Sequence, residues 1–159
     1  MRSLVVYYSK TGTTKKVAVA ISRMLGSDIE EIIDMKDRSG VIGWLTGGGD
    51  SYLKRLTDIK RPKKDPSKYK LVIIGTPVWA FTITPAIRTY IAKRCRRLKK
   101  VAFFCTHGGA PGNTFKIMGK LCGKKPVAAL GLSAKDMLSG EYFDKIKRFV
   151  SKIEQGVKK

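Results

Sequence analysis

Six residues near the N-terminus, Ser9 to Thr14, combine four hydroxyl side chains with one glycine in the order Ser-Lys-Thr-Gly-Thr-Thr. Hydroxyl groups and the free N–H groups at a helix start are good donors to phosphate oxygens, and glycine lets the backbone approach closely. The stretch lacks the glycine spacing of a Walker A loop or of a dinucleotide-binding turn. It therefore predicts a site for a phosphate monoester bound without magnesium, with an ordinary helix-capping cluster as the alternative.

The strands and helices that must position this stretch can be predicted from apolar runs, which alternate along the chain with amphipathic ones. Apolar, β-branched and aromatic runs predict five strands, at Leu4–Tyr8, Ile29–Ile33, Leu71–Gly75, Val101–Cys105 and Val127–Leu132. Apolar residues spaced three and four apart predict helices at Thr14–Leu25, Pro85–Ala92, Asn113–Leu121 and Glu141–Ile153. This alternation predicts a three-layer α/β/α sandwich around an open, doubly wound, five-stranded parallel sheet, in which the loop after the first strand lies at the ligand-binding edge.

The length of 159 residues suits a single domain, 1–159. One segment, residues 36–68, is a long polar and glycine-rich crossover, in which we expect short helices around Gly43–Leu45 and Ser51–Leu56. Such a long connection inside a compact domain is typically functional or mobile. Trp44 and Tyr52 of this crossover could close over a ligand or pack into the core.

Composition narrows the class of protein. The net charge of +21, from 33 Lys and Arg against 12 Asp and Glu, favours an acidic partner, nucleic acid or an anionic surface, unless it reflects only a solvated basic surface. Three cysteines without a paired spacing argue against a disulfide framework and a metal site. No apolar run is long enough to span a membrane and no signal peptide is evident, so we expect a cytoplasmic protein.

The hydroxyl-rich stretch resembles the [ST]-x-T-G-x-T loop of the flavodoxin family, which holds the phosphate of FMN. Two further stretches resemble the loops of that family that enclose the flavin ring: "GTPVWAFTITPAIR", from Gly75 to Arg88, and "CTHGGAPGN", from Cys105 to Asn113. The resemblance spans essentially the whole chain, and it implies FMN as the cofactor and the strand order 2-1-3-4-5.

The resemblance also implies a set of FMN-binding residues. The residues expected to bind the phosphate are those of the loop: Ser9, Lys10, Thr11, Gly12, Thr13 and Thr14. The residues expected to contact the ring are Thr76, Pro77, Val78, Trp79, Phe81, Thr106, His107, Gly108 and Gly109. Trp79 is expected to stack on the ring. His107 is either a flavin contact or proton donor, or a loop histidine held by the backbone; no catalytic or metal-binding residue is implied.

Three functions stay open at this stage. The first is an FMN electron carrier, whose basic clusters Lys54–Lys70 and Arg88–Lys100 would attract an acidic redox protein. The second is an FMN-dependent NAD(P)H:quinone or flavin oxidoreductase, favoured by the absence of a glycine after Trp79 and by the basic surface. The third, a basic nucleic-acid-binding module, rests on charge alone. Basic residues beside the phosphate loop also predict a flavin that is easier to reduce than in acidic flavodoxins.

Overall fold

The computed structural model describes residues 1–158, except for the side chain of Tyr52, so the expectation for that side chain and residue Lys159 lie outside the description. Its strands are β1 (Ser3–Tyr7), β2 (Asp28–Glu31), β3 (Leu71–Trp79), β4 (Thr82–Ile83), β5 (Lys100–His107) and β6 (Ala129–Ser133). Its α-helices are α1 (Thr13–Leu25), α2 (Gly40–Tyr52), α3 (Pro85–Arg94), α4 (Thr114–Cys122), α5 (Ala134–Ser139) and α6 (Tyr142–Lys158). Short 3₁₀ helices follow at Pro66–Lys68 and Cys95–Arg97.

The sheet has the order β2-β1-β3-β5-β6 with all neighbouring strands parallel. This confirms the predicted doubly wound parallel sheet and its order, because β4 is only a two-residue strand that pairs antiparallel with the end of β3. The central strands carry continuous apolar runs because both of their faces are covered. Within the described chain, no helix is long and apolar enough to cross a membrane.

Two apolar cores lie on opposite faces of the sheet. Alternate residues of one strand point to opposite faces, so Leu4 and Val6 pack into one core and Val5 and Tyr7 into the other. The first core includes residues of α3 and α4, and the second includes residues of α1 and α6. The helices therefore form the two outer layers of an α/β/α sandwich.

The crossover differs from its prediction. A single helix, α2, replaces the two short helices expected around Gly43–Leu45 and Ser51–Leu56. Its five glycines lower the helix propensity of the segment, so the sequence pattern understates it. Glycine is required at Gly47, because a Cβ there would lie 2.8 Å from the indole of Trp79. The helix thus exists because it packs closely on the end of β3.

Candidate cofactor site at the carboxyl edge of the sheet

A cavity of about 510 Å³ lies where β1, β3, β5 and β6 end. Such an edge is where open α/β sheets bind ligands, and the volume is in the range of small-molecule sites. Ten of the predicted site residues line the cavity: Lys10, Thr11, Thr13, Thr14, Pro77, Val78, Trp79, Thr106, His107 and Gly108. The structure therefore brings most residues of the three predicted loops together around one space.

One end of the cavity carries the loop before α1. Ser9 Oγ accepts hydrogen bonds from the backbone N–H groups of Gly12 (3.1 Å) and Lys15 (3.2 Å), so two backbone donors already converge on one oxygen. Gly12 has a φ of 96°, a left-handed conformation that favours glycine and turns the chain into the helix. The N–H groups of Thr13 and Thr14 open the helix and have no acceptor within it. Helix starts with such free N–H groups are a common type of anion-binding site.

The hydroxyl groups of this loop have different environments. Thr14 is buried and its Oγ1 lies 2.8 Å from Thr106 Oγ1, which links the loop after β1 to the end of β5. Thr11 and Thr13 are exposed, with their Oγ1 atoms 3.4 Å apart. The hydroxyls of Thr11 and Thr13 are thus accessible to a ligand, whereas Thr14 and Thr106 hold the two loops in register.

Trp79 forms a rigid wall of the cavity. Its ring packs edge-on against Tyr8, with 5.6 Å between the ring centroids. Lys10 Nζ and Arg38 Cζ each lie 5.9 Å from the Trp79 ring centroid, within the range of cation–π interactions. An indole held in this way can contact a flat aromatic ligand with little loss of side-chain entropy.

The turn after Trp79 is a two-residue hairpin rather than an open loop. Trp79 pairs with Thr82, and the intervening Ala80 and Phe81 have φ values of 48° and 60°. This left-handed turn is typically built from asparagine and glycine, so alanine and phenylalanine strain it. The Phe81 carbonyl accepts a hydrogen bond from the Asn113 N–H (3.2 Å), which ties the hairpin to the loop after β5.

Five predicted residues do not line the cavity: Ser9, Gly12, Thr76, Phe81 and Gly109. Ser9 and Gly12 instead shape the loop, through the hydrogen bonds to Ser9 Oγ and the left-handed backbone of Gly12. Thr76 is fully buried, and its hydroxyl donates to the Pro77 carbonyl at 2.8 Å, so it supports β3 rather than facing a ligand. The Phe81 side chain is 73% exposed and points away from the cavity, because the hairpin turns it outward.

His107 lies at the end of β5 with its Nδ1 buried and without a partner among the described residues. Burial lowers its pKa, the nearby Asp136 opposes this, and Lys145 adds to it. Burial thus favours the neutral imidazole, in which one ring nitrogen can donate and the other can accept a hydrogen bond.

The pattern-based reasoning missed the wall formed by β6 and α5. Leu132, Ala134, Met137 and Leu138 line the cavity on the side away from Trp79. A capping box between Ser133 and Asp136 starts α5 directly after β6 and turns these apolar residues toward the cavity. The Ser-x-x-Asp pattern after a strand could have revealed this helix. Trp44 of α2, considered from the sequence as a possible lid, also lines the cavity.

A buried ion cluster joins the segment before α2 to the last turn of that helix. Arg38 donates from Nε to Asp34 Oδ2 (2.6 Å) and from Nη1 to Asp50 Oδ2 (3.0 Å), and all three side chains are less than 10% exposed. Lys36 also binds Asp50, at 2.8 Å, and this contact, together with Arg38, holds the Asp50 pKa below its ordinary value. Burial and the carboxylate of Asp34 raise the pKa of Tyr8 to about 12, so that phenol stays neutral.

These features fit one kind of ligand. The N–H and hydroxyl donors at one end suit a phosphate monoester, and three lysines at Lys10, Lys15 and Lys16 add positive charge. The apolar space between Trp79 and Leu132 suits a planar ring system. The residues present therefore fit a phosphorylated aromatic cofactor such as FMN.

The comparisons with known proteins agree with this geometry. The flavodoxin family model matches residues 2–153. No curated protein matches the chain by sequence. The fold is similar to that of a flavoprotein in complex with FMN from Lactobacillus acidophilus, with a TM-score of 0.71, 22% identity, and coverage of 89% of this chain and 97% of that one.

Two other solved structures show the same architecture. A protein described as a flavoprotein from Bacteroides eggerthii has a TM-score of 0.69 and 25% identity, over 92% of this chain and 98% of its own. A flavodoxin from the domain Archaea has a TM-score of 0.60 and 17% identity, and the match covers 100% of both chains. Whole-chain coverage places every secondary-structure element of this protein within that fold.

Proposed function

Because this chain belongs to the flavodoxin family, we propose that it binds FMN in the cavity at the carboxyl edge of the sheet and carries electrons between redox partners. One observation carries the proposal: the unpaired N–H groups at the start of α1 and the exposed hydroxyls of Thr11 and Thr13 lie next to a largely apolar cavity of about 510 Å³ walled by Trp79. When bound, FMN supplies reversible electron acceptance, and the protein supplies its position and surroundings.

Different residues serve the two ends of the cofactor. The N–H groups of Thr13 and Thr14 and the hydroxyls of Thr11 and Thr13 would hold the phosphate. Trp79 and the apolar side chains of β6 and α5 would enclose the ring and exclude water from it. His107 lines the cavity wall, where its imidazole would make one hydrogen bond to the cofactor.

Basic residues near the ring also bear on its reduction. Lys10 Nζ lies over the Trp79 ring, and Lys10 itself lines the cavity. A positive charge there favours the electron-rich reduced form, so we expect a higher reduction potential than in flavodoxins with acidic surroundings. A redox titration of the FMN-loaded protein and of Lys10→Met measures this; a potential that is the same in both would remove Lys10 from the explanation.

The test of FMN binding compares two ligands. FMN and riboflavin share the ring system, and only FMN carries the phosphate, so the Thr11→Val/Thr13→Val double variant should discriminate between them. We expect at least a tenfold loss of FMN affinity, since hydrogen bonds to charged groups contribute about 1.5–3 kcal/mol each. Riboflavin affinity should change less than about twofold, because these hydroxyls lie at the phosphate end.

Quenching of flavin fluorescence on titration into the flavin-free protein gives both affinities. Equal losses for the two ligands would show that the hydroxyls do not contact the phosphate. A wild-type protein that binds neither ligand would overturn the proposal as a whole.

The redox partner is proposed to be an acidic protein. The exposed lysines and arginines of residues 54–70 and 93–100 form basic surfaces that would speed its approach. Arg88, which the sequence grouped with the second cluster, is only 5% exposed and cannot take part in steering. We expect the rate of electron transfer to an acidic ferredoxin-type protein to fall steeply as ionic strength rises, which stopped-flow measurements would detect.

A second cavity supports an enzymatic alternative, an FMN-dependent NAD(P)H:quinone or flavin oxidoreductase. This cavity of about 400 Å³ shares Trp79 and Lys10 with the first and extends along α2 to Leu45 and Gly48. It could admit a substrate beside the ring. Anaerobic addition of NADH or NADPH decides between the functions: rapid loss of flavin colour favours the enzyme, and slow or absent loss favours the carrier.

A further inference from the structure

Helix α2 turns its apolar side chains toward solvent. Val41, Ile42, Trp44 and Leu45 are 74%, 78%, 70% and 59% exposed. The buried positions of the same helix are Gly43, Gly47, Asp50 and Ser51, which are small or polar. The usual arrangement of a surface helix, with its apolar side facing the core, is therefore reversed here. We call the four exposed side chains the α2 apolar face.

The α2 apolar face is a larger apolar surface than single exposed residues form. Its members are neighbours on two successive turns, and Leu53 and Leu56 after the helix are also exposed. A contiguous apolar surface of this kind on a water-soluble fold marks a place where something else binds. Val41 and Ile42 line neither of the two cavities next to Trp79, so a cofactor bound there would leave them exposed.

Most charged side chains around the α2 apolar face are basic; the exposed Asp37 precedes the helix, and Arg55 lies 3.5 Å from Asp50. Lys10 lies beside Trp44 and Leu45, and exposed Lys54 and Arg55 follow the C-terminal end of the helix. The acidic side chain on the helix, Asp50, is buried and already bound by Arg38 and Lys36. The whole chain carries a net charge of +21. An anionic surface therefore complements both the patch and the protein as a whole.

We propose that the α2 apolar face docks the protein onto the surface of an anionic lipid bilayer. Aliphatic and tryptophan side chains flanked by lysine and arginine are the composition of helices that lie in the lipid interface. Each basic side chain near an anionic surface adds to the attraction. This interaction surface goes beyond the proposed FMN binding and electron transfer, and it does not depend on them.

The geometry favours a bilayer over other occupants. The face is a protruding helix rather than a groove, so it suits insertion among lipid headgroups better than the capture of a peptide. A second copy of the chain would bring another charge of +21 against the first, which opposes self-association. Because Trp44 and Leu45 also line the cavities, docking brings the mouth of the candidate FMN site to the membrane surface.

Vesicle sedimentation tests this proposal with the full chain loaded with FMN. The probes are vesicles of phosphatidylcholine alone and of phosphatidylcholine mixed with phosphatidylglycerol, at about 0.15 M salt. The wild-type protein should bind the anionic vesicles at least tenfold more tightly than the neutral ones. Val41→Ser/Ile42→Ser should lose at least tenfold in binding to anionic vesicles, because burial of either side chain alone is worth about tenfold or more.

The matched control is Phe143→Ser, which removes an exposed apolar side chain from α6, the helix on the opposite layer of the sheet. It should bind anionic vesicles within twofold of wild type. The flavin spectrum of each variant shows that the protein is folded and still loaded with FMN. Failure of vesicle binding in a yellow protein would thus leave the proposed function intact.

Besides failure of the wild type to bind anionic vesicles, three results would overturn the proposal. The first is equal binding of wild type and Val41→Ser/Ile42→Ser to anionic vesicles, which would leave charge as the sole cause. The second is a dimer, seen by analytical ultracentrifugation, that this double variant abolishes. The third is tight binding to an acidic ferredoxin-type protein that requires Val41 and Ile42, together with vesicle binding that does not.

Discussion

Replacement of Arg38 by methionine tests how the crossover is held over the site. The guanidinium bridges Asp34 and Asp50 within the protein, and Met has a similar length without the charge. Loss of one partner of a buried ion pair costs about 3–5 kcal/mol, because the remaining charge stays desolvated. Here Asp50 keeps Lys36 at 2.8 Å and Asp34 keeps the Thr57 hydroxyl at 2.8 Å. We therefore expect the lower end of that range, about 3 kcal/mol.

Lys15→Met is the matched control. Lys15 pairs with Glu31 at 3.2 Å, but the two side chains are 55% and 31% exposed, so water still reaches the pair. Exposed ion pairs contribute about 0–1 kcal/mol, so this variant should unfold at nearly the wild-type urea concentration. Both variants remove one positive charge, but Arg38 is buried and contacts two carboxylates, whereas Lys15 is half-exposed and contacts one.

The cost of Arg38→Met should appear first as local opening of the crossover. The amide of Met35 donates to the Asp58 carbonyl and that of Lys60 to the Ile33 carbonyl, so both report whether the crossover is closed. A cost of about 3 kcal/mol predicts roughly 100-fold faster hydrogen exchange at these amides. Exchange in the central strands should change less.

The pH dependence gives a second measure of the same cluster. The pKa of Asp50 is lowered, first by Lys36 and then by Arg38, so its contribution to stability is present above the ordinary carboxyl pKa of 3.8. That contribution is lost as the pH falls below this value. The gap between wild type and Arg38→Met should therefore narrow in acid. Equal stability and exchange of Arg38→Met and Lys15→Met at pH 7 would refute the reasoning.

Three further variants test the packing beside the site. Gly75→Ala should cost about 3 kcal/mol in urea unfolding, because its Cβ would fall 1.9 Å from Phe104 Cζ; a loss below 1 kcal/mol would contradict this. Arg88→Met should leave stability unchanged or raise it by about 1 kcal/mol, since burial lowers the Arg88 pKa and no carboxylate of the described chain pairs with it. Asp136→Asn should lower the thermal midpoint at pH 7. Bonding to Lys145 lowers the Asp136 pKa from 3.8 to about 2, so the deficit should shrink as the pH falls through that interval and not above it.

The main features of the fold could be predicted because both faces of the sheet are buried. A strand such as Leu71–Ile74 reads as an unbroken apolar run, and the helix after it begins with Thr84-Pro85, a strong start signal. Strand ends were less predictable: β3 continues through Thr76 and Pro77 to Trp79, because β5 and β4 supply pairing partners that are distant or unrecognised in the sequence.

The candidate site was predictable in its polar half and less so in its apolar half. The loop from Ser9 to Thr14 is a local motif, and its residues meet the cavity or shape its wall. The wall from Leu132 to Leu138 depends on where β6 stops and α5 turns, which tertiary packing decides. Helix α2 was predicted only as two short pieces for the same reason, since Gly47 fits against Trp79 and Gly43 against the Arg38 backbone, contacts that helix propensity does not reveal.

The hydrogen bond between Thr14 and Thr106 joins residues that are 92 positions apart in the chain. Thr14 lies on the loop proposed to hold the phosphate, and Thr106 lies on the loop proposed to contact the ring. Inorganic phosphate and riboflavin, added as separate fragments, should therefore strengthen each other's binding, because the first to arrive orders the loop that the second needs. The binding of the phosphate and the binding of the ring system would thus be coupled. A single pair of side chains would carry that coupling.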